Sequence, residues 1–445
     1  MSENPPRRAV GYVQLLRSNR DFRNLFTGQF ISQTGDWFNS VALFTLILSL
    51  TGSGEAVGYI LIIKLLPSFF VGPVAGVVAD RFNRKTVMIV SDIVRGFLVL
   101  GFLLVERPEQ VWIVYVIAAL GIAISTFFDP AKSAAIPNIV SREELVPANA
   151  LSSASWSVTL ALGAALGGLV TDAFGRDAAF IIDSLSFFVS AAYIWGVRAQ
   201  LSKTKRERTA RLSLVDAIGV TDFIEGARYL RLNPRVMALL LVKSGWGLGG
   251  GVLLLLTIYG KQIFPLGRDG AASIGMLYAA RGLGALIGPV IAGVITSGAP
   301  RTMRQAISVA FFVSAGFYFL FAQAPSLWIA LICVLGAHSG GSIQWVFSTT
   351  ILQMSVPDRF LGRVFALEMA LLTLTMSVST YATGWGVDYA GLGARRMATV
   401  LGLAFMIPGV AWLMLQRWLD RDDPTVQLHP MLEDESITET SYPPV

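Results

Sequence analysis

The chain has 445 residues, 54% of them hydrophobic and only 14% charged, with a formal net charge of +6 and a mean hydropathy of +0.61. A soluble chain of this length carries about a quarter charged residues and hides its apolar runs in two or three cores. This composition therefore excludes a water-soluble enzyme and indicates an integral membrane protein.

Residues 1–23 hold five arginines and no sustained apolar run, so no cleavable signal is expected and the first membrane helix directs insertion. Twelve runs of membrane length follow. They span roughly 24–50, 56–79, 86–106, 111–130, 148–174 and 177–197, then 236–260, 272–297, 304–323, 326–353, 363–389 and 396–418. The expected fold is an all-α membrane protein of twelve transmembrane helices in two pseudo-symmetric six-helix bundles, 24–197 and 236–419. The connection 198–235 joins them, and a polar tail, 420–445, is expected to be disordered. An even number of crossings puts both termini on one side. The odd-numbered loops hold only Arg107, Arg176, Lys261, Arg268, Arg395 and Arg396, so both termini are expected to be cytoplasmic. The cationic excess is explained by this topology, and no nucleic-acid partner is expected.

Charges inside membrane segments are costly and mark functional candidates. In the first segment Ser32, Gln33, Gly35, Asp36 and Asn39 form a polar island, which makes Asp36 the leading proton-coupling carboxylate and Trp37 a candidate cavity wall. Segment 2 carries Lys64. The turn after it places Gly76, Asp80, Arg81, Asn83, Arg84 and Lys85 between two long apolar runs. Asp80 there can accept hydrogen bonds from the positive end of another helix in one conformation and lose them in the other. Gly76 would let helices approach closely, and the cations can meet anionic membrane lipid. In segment 3, Asp92 and Arg95 stand three apart on one helical face and are expected to pair. Asp183 in segment 6 is a further proton candidate, although hydrogen bonding alone would account for it.

The connection 198–235 begins with a basic run at Lys203, Lys205, Arg206 and Arg208. It continues with Val220, Phe223, Ile224, Ala227 and Leu230 at helical spacing. An amphipathic helix lying on the cytoplasmic leaflet is expected, ended at Asn233 and Pro234. Segments 7 and 8 add Lys243 and Arg281 as cavity candidates. Segment 10 adds His338, expected to be a packed polar residue, and segment 11 adds Glu368, a proton-coupling or gating candidate.

A shift of 217 residues lays Gly58 on Gly275, Lys64 on Arg281, Gly76 on Gly293 and Arg84 on Arg301. Such a duplication puts substrate between the halves near mid-membrane. Lys64 and Arg281 are then pseudo-symmetric cations that either hold an anionic group or pair with nearby acids. The second copy of the charged turn is degenerate, with Ser297 in place of the acid.

The turn from Gly76 to Lys85 resembles the loop between helices 2 and 3 of the major facilitator superfamily of secondary transporters, with Asn83 where that family usually has glycine. The stretches around Gln33 to Phe38, Pro130 to Lys132, Arg142 to Leu151, Ala279 to Gly288 and Leu361 to Val364 are similar to the subgroup of macrolide-efflux proteins and the enterobactin exporter. The resemblance implies export of an amphipathic small molecule coupled to proton entry, with the turn latching the outward-open state. Gly163, Gly167 and Gly168 resemble the family's antiporter motif, but Ala164 replaces its proline, and small-residue packing explains them as well. Movement of lysophospholipid between leaflets is the alternative cargo, since lysolipid flippases share a similar Pro130 to Lys132 stretch. A non-transporting sensor or scaffold is the alternative of another class.

No phosphate-binding Gly-rich loop is present, and Cys333, His338 and His429 do not make a metal site. No enzyme activity, cofactor or metal is expected, and a monomer is expected.

Overall fold

A computed structural model of the chain describes residues 12–141, 144–199, 220–296 and 299–421. The first half holds α1 (Arg20–Thr51), α2 in two pieces (Gly54–Ile63 and Leu66–Arg81), α3 (Arg84–Leu100), α4 (Val111–Ile139), α5 (Leu145–Phe174) and α6 (Arg176–Trp195). The second half holds α7 in two pieces (Pro234–Gly247 and Val252–Ile258), α8 (Ala271–Thr296), α9 (Pro300–Gln323), α10 (Leu327–Ser355), α11 (Asp358–Asp388) and α12 in two pieces (Gly393–Ala404 and Met406–Arg421). No strand occurs among the described residues. Eleven stretches are long and apolar enough to cross a membrane. The exception is α1, whose 32 residues include the polar island at Asp36 and Asn39.

Burial is inverted relative to a soluble protein. Phe97, Leu104, Trp112, Val294 and Trp328 are exposed, whereas Asp92, Asp183, Glu368, Gln344 and Ser314 are completely buried. Lipid solvates the apolar exterior, so polar groups collect where other helices can satisfy them. Trp112 and Trp328 open α4 and α10 at one end of the molecule, and Trp195 closes α6 at the other, as expected of interfacial aromatics.

The helix breaks have local causes. Pro67 lacks the N–H that would continue the first piece of α2, so the chain turns at Lys64 and Leu65. The break in α7 runs through Leu248, Gly249, Gly250 and Gly251. A β-carbon on Gly250 would lie 2.8 Å from Met376 Cα, so glycine there lets α7 touch the α11 backbone.

Helices α1, α3, α5 and α6 pack together in the first half, and α8, α9, α10 and α12 in the second. Two seams join the halves: α5 against α8, and the first piece of α2 against α11. The duplication relates these seams, because it carries α2 onto α8 and α5 onto α11. In the α5–α8 seam, β-carbons on Gly168 and Gly275 would meet one another's backbone at 2.9 and 2.8 Å, and one on Gly282 would lie 2.5 Å from Ala161 N. Packing therefore accounts for Gly168, while Gly163 and Gly167 fit the α1 backbone at Thr34 and Phe38.

The expected amphipathic helix is present as Val220–Leu232. It packs on the start of α11: Tyr229 stacks on Phe360 at 4.4 Å, and Glu225 pairs with Arg363 at 2.9 Å. Of the residues placed on the apolar stripe by spacing, Leu230 is buried but Ala227 is exposed, and Gly226 is buried in its place. A protein surface rather than the lipid side selects its buried face. The basic run at 203–208, the terminal segments and Ser297 lie outside the described residues.

Candidate functional site

A cavity of about 380 Å³ lies between the halves, lined by α1, α2, α3, α4, α5, α7, α8 and α11. Its polar wall comprises Gln33, Asp36, Ser40, Lys64, Arg95 and Arg281, and its aromatic wall Trp37, Phe44, Trp156 and Tyr278. Three of the four residues expected to line a cavity, Trp37, Lys64 and Arg281, are therefore brought together, the first two from consecutive helices and the third from the other half.

On the first-half side, the Arg95 guanidinium donates to the Asp36 carboxylate at 2.7 Å and sits 4.1 Å from the Phe187 ring. The Arg95 side chain is 11% exposed and Asp36 is 41% exposed, so the acid faces the cavity and the base backs it. The spacing-based Asp92–Arg95 pair is thus corrected: Arg95 turns across to α1. Asp92, fully buried on α3 near Ser190 of α6, has no hydrogen bond of standard geometry to either carboxylate oxygen among the described residues. Helical spacing places two residues on one face, but the nearer carboxylate across the helix interface wins the cation.

Asp183 is also completely buried and accepts from Asn39 Nδ2 at 2.8 Å. Gly35 makes this possible, since a β-carbon there would collide with Asp183 and Ser186. Lys64 donates to Ser40 Oγ at 2.6 Å and lies 5.5 Å from the Phe44 ring. Sequence reasoning gave no individual role to Gly35, Asn39 or Ser40. The signal for Gly35 and Asn39 was the polar island itself, and Ser40 lies one helical turn after Asp36 on the same face.

The second-half side is sparser. Arg281 is 8% exposed, sits 5.8 Å from the Trp156 ring, and has no ion-pair partner among the described residues. Behind it Tyr318 Oη and His338 Nδ1 are 3.1 Å apart, so His338 is the packed polar residue its setting suggested.

Lys243 is corrected: it does not reach the cavity. Its ammonium pairs with Glu368 at 2.6 Å, with side chains 4% and 1% exposed, and lies 4.5 Å from the Trp345 ring. Trp246 and Trp345 meet edge to face beside it, so these aromatics frame the ion pair rather than the cavity. Glu368, Asp36 and Asp183 are therefore not one cluster: Glu368 belongs to the α7–α10–α11 interior.

At the charged turn, Asn83 is extended (φ −67°, ψ 114°) and its side chain accepts from Lys85 N at 3.0 Å. Asn83, in the position where the family usually has glycine, thus needs no left-handed backbone and caps α3. Arg84 donates to Ala134 O at 2.8 Å and Lys85 to Val197 O at 2.7 Å, tying the turn to α4 and α6. The surroundings of Gly76 and the side chains of Asp80 and Arg81 lie outside the described set.

The family model described as Major Facilitator Superfamily matches residues 25–380. The chain is a member of the Major Facilitator Superfamily. Members are transporters rather than enzymes, and this transporter is a multi-pass membrane protein. It is 27% identical to the MFS-type transporter YfiS of Bacillus subtilis over 90% of this chain and 93% of that one. It is 27% identical to the enterobactin exporter EntS of Escherichia coli O81 over 91% and 93% of the two chains. With macrolide efflux protein A of Streptococcus pyogenes it shares 23% identity over 83% and 90%. Among solved structures it superposes on the nucleoside transporter NupG with a TM-score of 0.67 at 9% identity, covering 88% of this chain and 98% of that one. A bacterial homolog of the human lysosomal transporter Spinster gives a TM-score of 0.67 at 13% identity, over 89% and 97%. These structural likenesses carry the fold alone.

The transporter's halves are closed together at the end where α1 runs into α2. Asp388 at the end of α11 accepts from Ser53 Oγ at 2.8 Å, Gly54 N at 3.3 Å and Glu55 N at 2.8 Å, capping the start of α2. Beside it the Tyr59 and Tyr381 rings stack at 6.4 Å, and Asp172 of α5 accepts from Arg268 N across the other seam. Because Asp388 is exposed, its loss is expected to cost about 1 kcal/mol of this closure, roughly a fivefold shift in the open-to-closed ratio. An Asp388→Ala variant with a cysteine at Ser53 should react several times faster with an impermeant maleimide than the Ser53→Cys protein alone; equal rates would remove Asp388 from the closure. Buried Cys333 keeps the background low.

Proposed function

We propose that this transporter exports an amphipathic small molecule by alternating access, with proton entry coupled through Asp36. The observation that carries this reading is the Asp36–Arg95 pair on the wall of the central cavity, with the acid open to the cavity and the base buried behind it. Protonation of Asp36 would release Arg95, so the charge that the cavity presents to cargo depends on whether the proton is bound. That dependence ties cargo occupancy to proton occupancy, which coupled transport requires. The similarity to a macrolide efflux protein and an enterobactin exporter supports an export direction and an amphipathic cargo. The bacterial relatives and the loop charge asymmetry support a bacterial cytoplasmic membrane with both termini in the cytoplasm.

Proteoliposomes enclosing a pH-sensitive dye test the coupling. Addition of a macrolide, a catecholate siderophore or a lysophospholipid to the protein should evoke proton movement that a protonophore abolishes. Lysophospholipid movement insensitive to the protonophore would favour the flippase reading instead, and no cargo-evoked movement of any kind would favour a sensor or scaffold.

The turn at 80–85 acts in this reading as the inner latch, formed when the cytoplasmic ends close. Asp80→Ala is expected to slow turnover several-fold while leaving substrate affinity in the closed-outward state within about twofold. Unaltered turnover would reduce the turn to a topology anchor.

A further inference from the structure

The two cations of the cavity have unequal surroundings. Lys64 is engaged: it donates to Ser40 at 2.6 Å and lies in the field of Asp36 and Asp183. Arg281 has no such company. It is only 8% exposed, its Nε has no hydrogen-bond partner among the described residues, and the Asp36 carboxylate of the cavity is taken by Arg95. The groups facing it are rings: Trp156 from α5 at 5.8 Å, with Tyr278 one turn earlier on α8. The α5–α8 seam holds it there, because Gly282 rests on the Ala161 backbone and turns the neighbouring Arg281 and Tyr278 inward. A buried charge without a counter-ion is strongly disfavoured unless something supplies one. A guanidinium presents planar paired donors that match an oxyanion.

From these observations we infer that Arg281 is the receptor for the anionic group of the cargo, which is an amphipathic oxyanion whose apolar body lies against Trp37, Trp156 and Tyr278. Lys64 belongs instead to the proton-coupling wall with Asp36 and Arg95. The cavity thus divides into a proton wall of Asp36, Lys64 and Arg95 in the first half and a substrate side at the α5–α8 seam, where Arg281 and Tyr278 of the second half meet Trp156, with Trp37 beside them. The inference rests on the export reading above and names the chemical class of its cargo. A carboxylate on a soluble amphiphile and the phosphodiester of a lysolipid share this chemistry, and the test separates them.

Equilibrium binding to the purified, full-length protein is measured with cholate, lysophosphatidylglycerol and rhodamine 6G as soluble anion, lipid anion and cation. Wild-type protein is expected to bind cholate at least tenfold more tightly than its uncharged methyl ester. This comparison needs no variant and therefore stands whether or not substitutions fold. In Arg281→Gln, anion affinity should fall at least tenfold relative to rhodamine affinity, with Arg281→Lys recovering part of the loss. Lys64→Gln should change the anion-to-cation ratio far less. Tighter binding of cholate than of lysophosphatidylglycerol assigns a soluble cargo, and the reverse order assigns a lipid. Equal binding of cholate and its ester, or an unchanged ratio in Arg281→Gln, overturns the inference. If wild-type proteoliposomes still show cargo-evoked proton movement in that case, the export reading survives and only the anion receptor is lost.

Discussion

Asp36→Asn is expected to abolish cargo-evoked proton movement, bringing the dye signal to that of protein-free liposomes. The physical reason is the arrangement around Arg95. The guanidinium is held between the Phe187 ring and the Asp36 carboxylate, and the acid is the member that faces the cavity. Asparagine keeps the shape and part of the hydrogen bond but binds no proton, so the exchange of proton for cargo has no site. Removing one partner of a fully buried pair costs about 3–5 kcal/mol; with Asp36 41% exposed, a smaller loss of about 1–2 kcal/mol is expected. The variant should therefore fold, with a thermal midpoint a few degrees lower. Downhill cargo exchange without a pH gradient should persist. Retained proton movement in Asp36→Asn would remove the residue from coupling and leave Asp183 and Glu368 as the remaining carboxylates to test.

Breaking the Lys243–Glu368 pair is expected to give the largest stability loss in the protein. Both side chains are nearly sealed, at 4% and 1% exposure; the ammonium bonds Glu368 Oε2, and Oε1 has no hydrogen-bond partner among the described residues. Glu368→Ala or Lys243→Ala leaves a bare charge inside the α7–α10–α11 interior, a cost of about 3–5 kcal/mol. The joint replacement Lys243→Met with Glu368→Leu removes both charges at similar volume and should restore most of that stability. Thermal unfolding in detergent separates the outcomes: single variants much less stable than the double variant support a structural pair. If Glu368→Gln instead unfolds normally but loses pH-dependent transport, Glu368 acts in coupling after all.

The two interbundle seams give the transporter an internal symmetry of closure. At one end, Asp388 of α11 caps the start of α2. At the other, Asp80 ends the second piece of α2, and we take the start of α11 as the helix end that the proposed latch engages. The same two helices would then carry an acid at each C-terminal end facing the partner's N-terminal end, where the helix dipole favours it. Closing one end while opening the other exchanges one cap for its counterpart, so the two states stay close in energy.

Much of this was legible in the sequence. The apolar runs located the eleven membrane-length apolar stretches and the more polar α1 before them, and the 217-residue repeat alone placed Lys64 and Arg281 at equivalent positions. The charged turn identified the superfamily. Hydropathy sums locally along the chain, and the lipid acts on each segment almost independently, so these features need no knowledge of neighbours.

The partners of buried charges were decided only in three dimensions. Spacing assigned Arg95 to Asp92 on its own helix, but the close approach of α1, α3 and α6, opened by Gly35, gave it to Asp36. Lys243 has the sequence setting of a cavity residue, yet α7 and α11 pack together and enclose it with Glu368, 125 residues away in sequence. Arg281 is one of a matched pair by the repeat, and only its surroundings show it to be the cation without a counter-ion among the described residues. Which helix faces which, and at what rotation, depends on small-residue contacts along whole seams. In a low-dielectric interior a difference of a few ångströms decides which acid a cation takes, and that distance is a property of the packed tertiary structure alone.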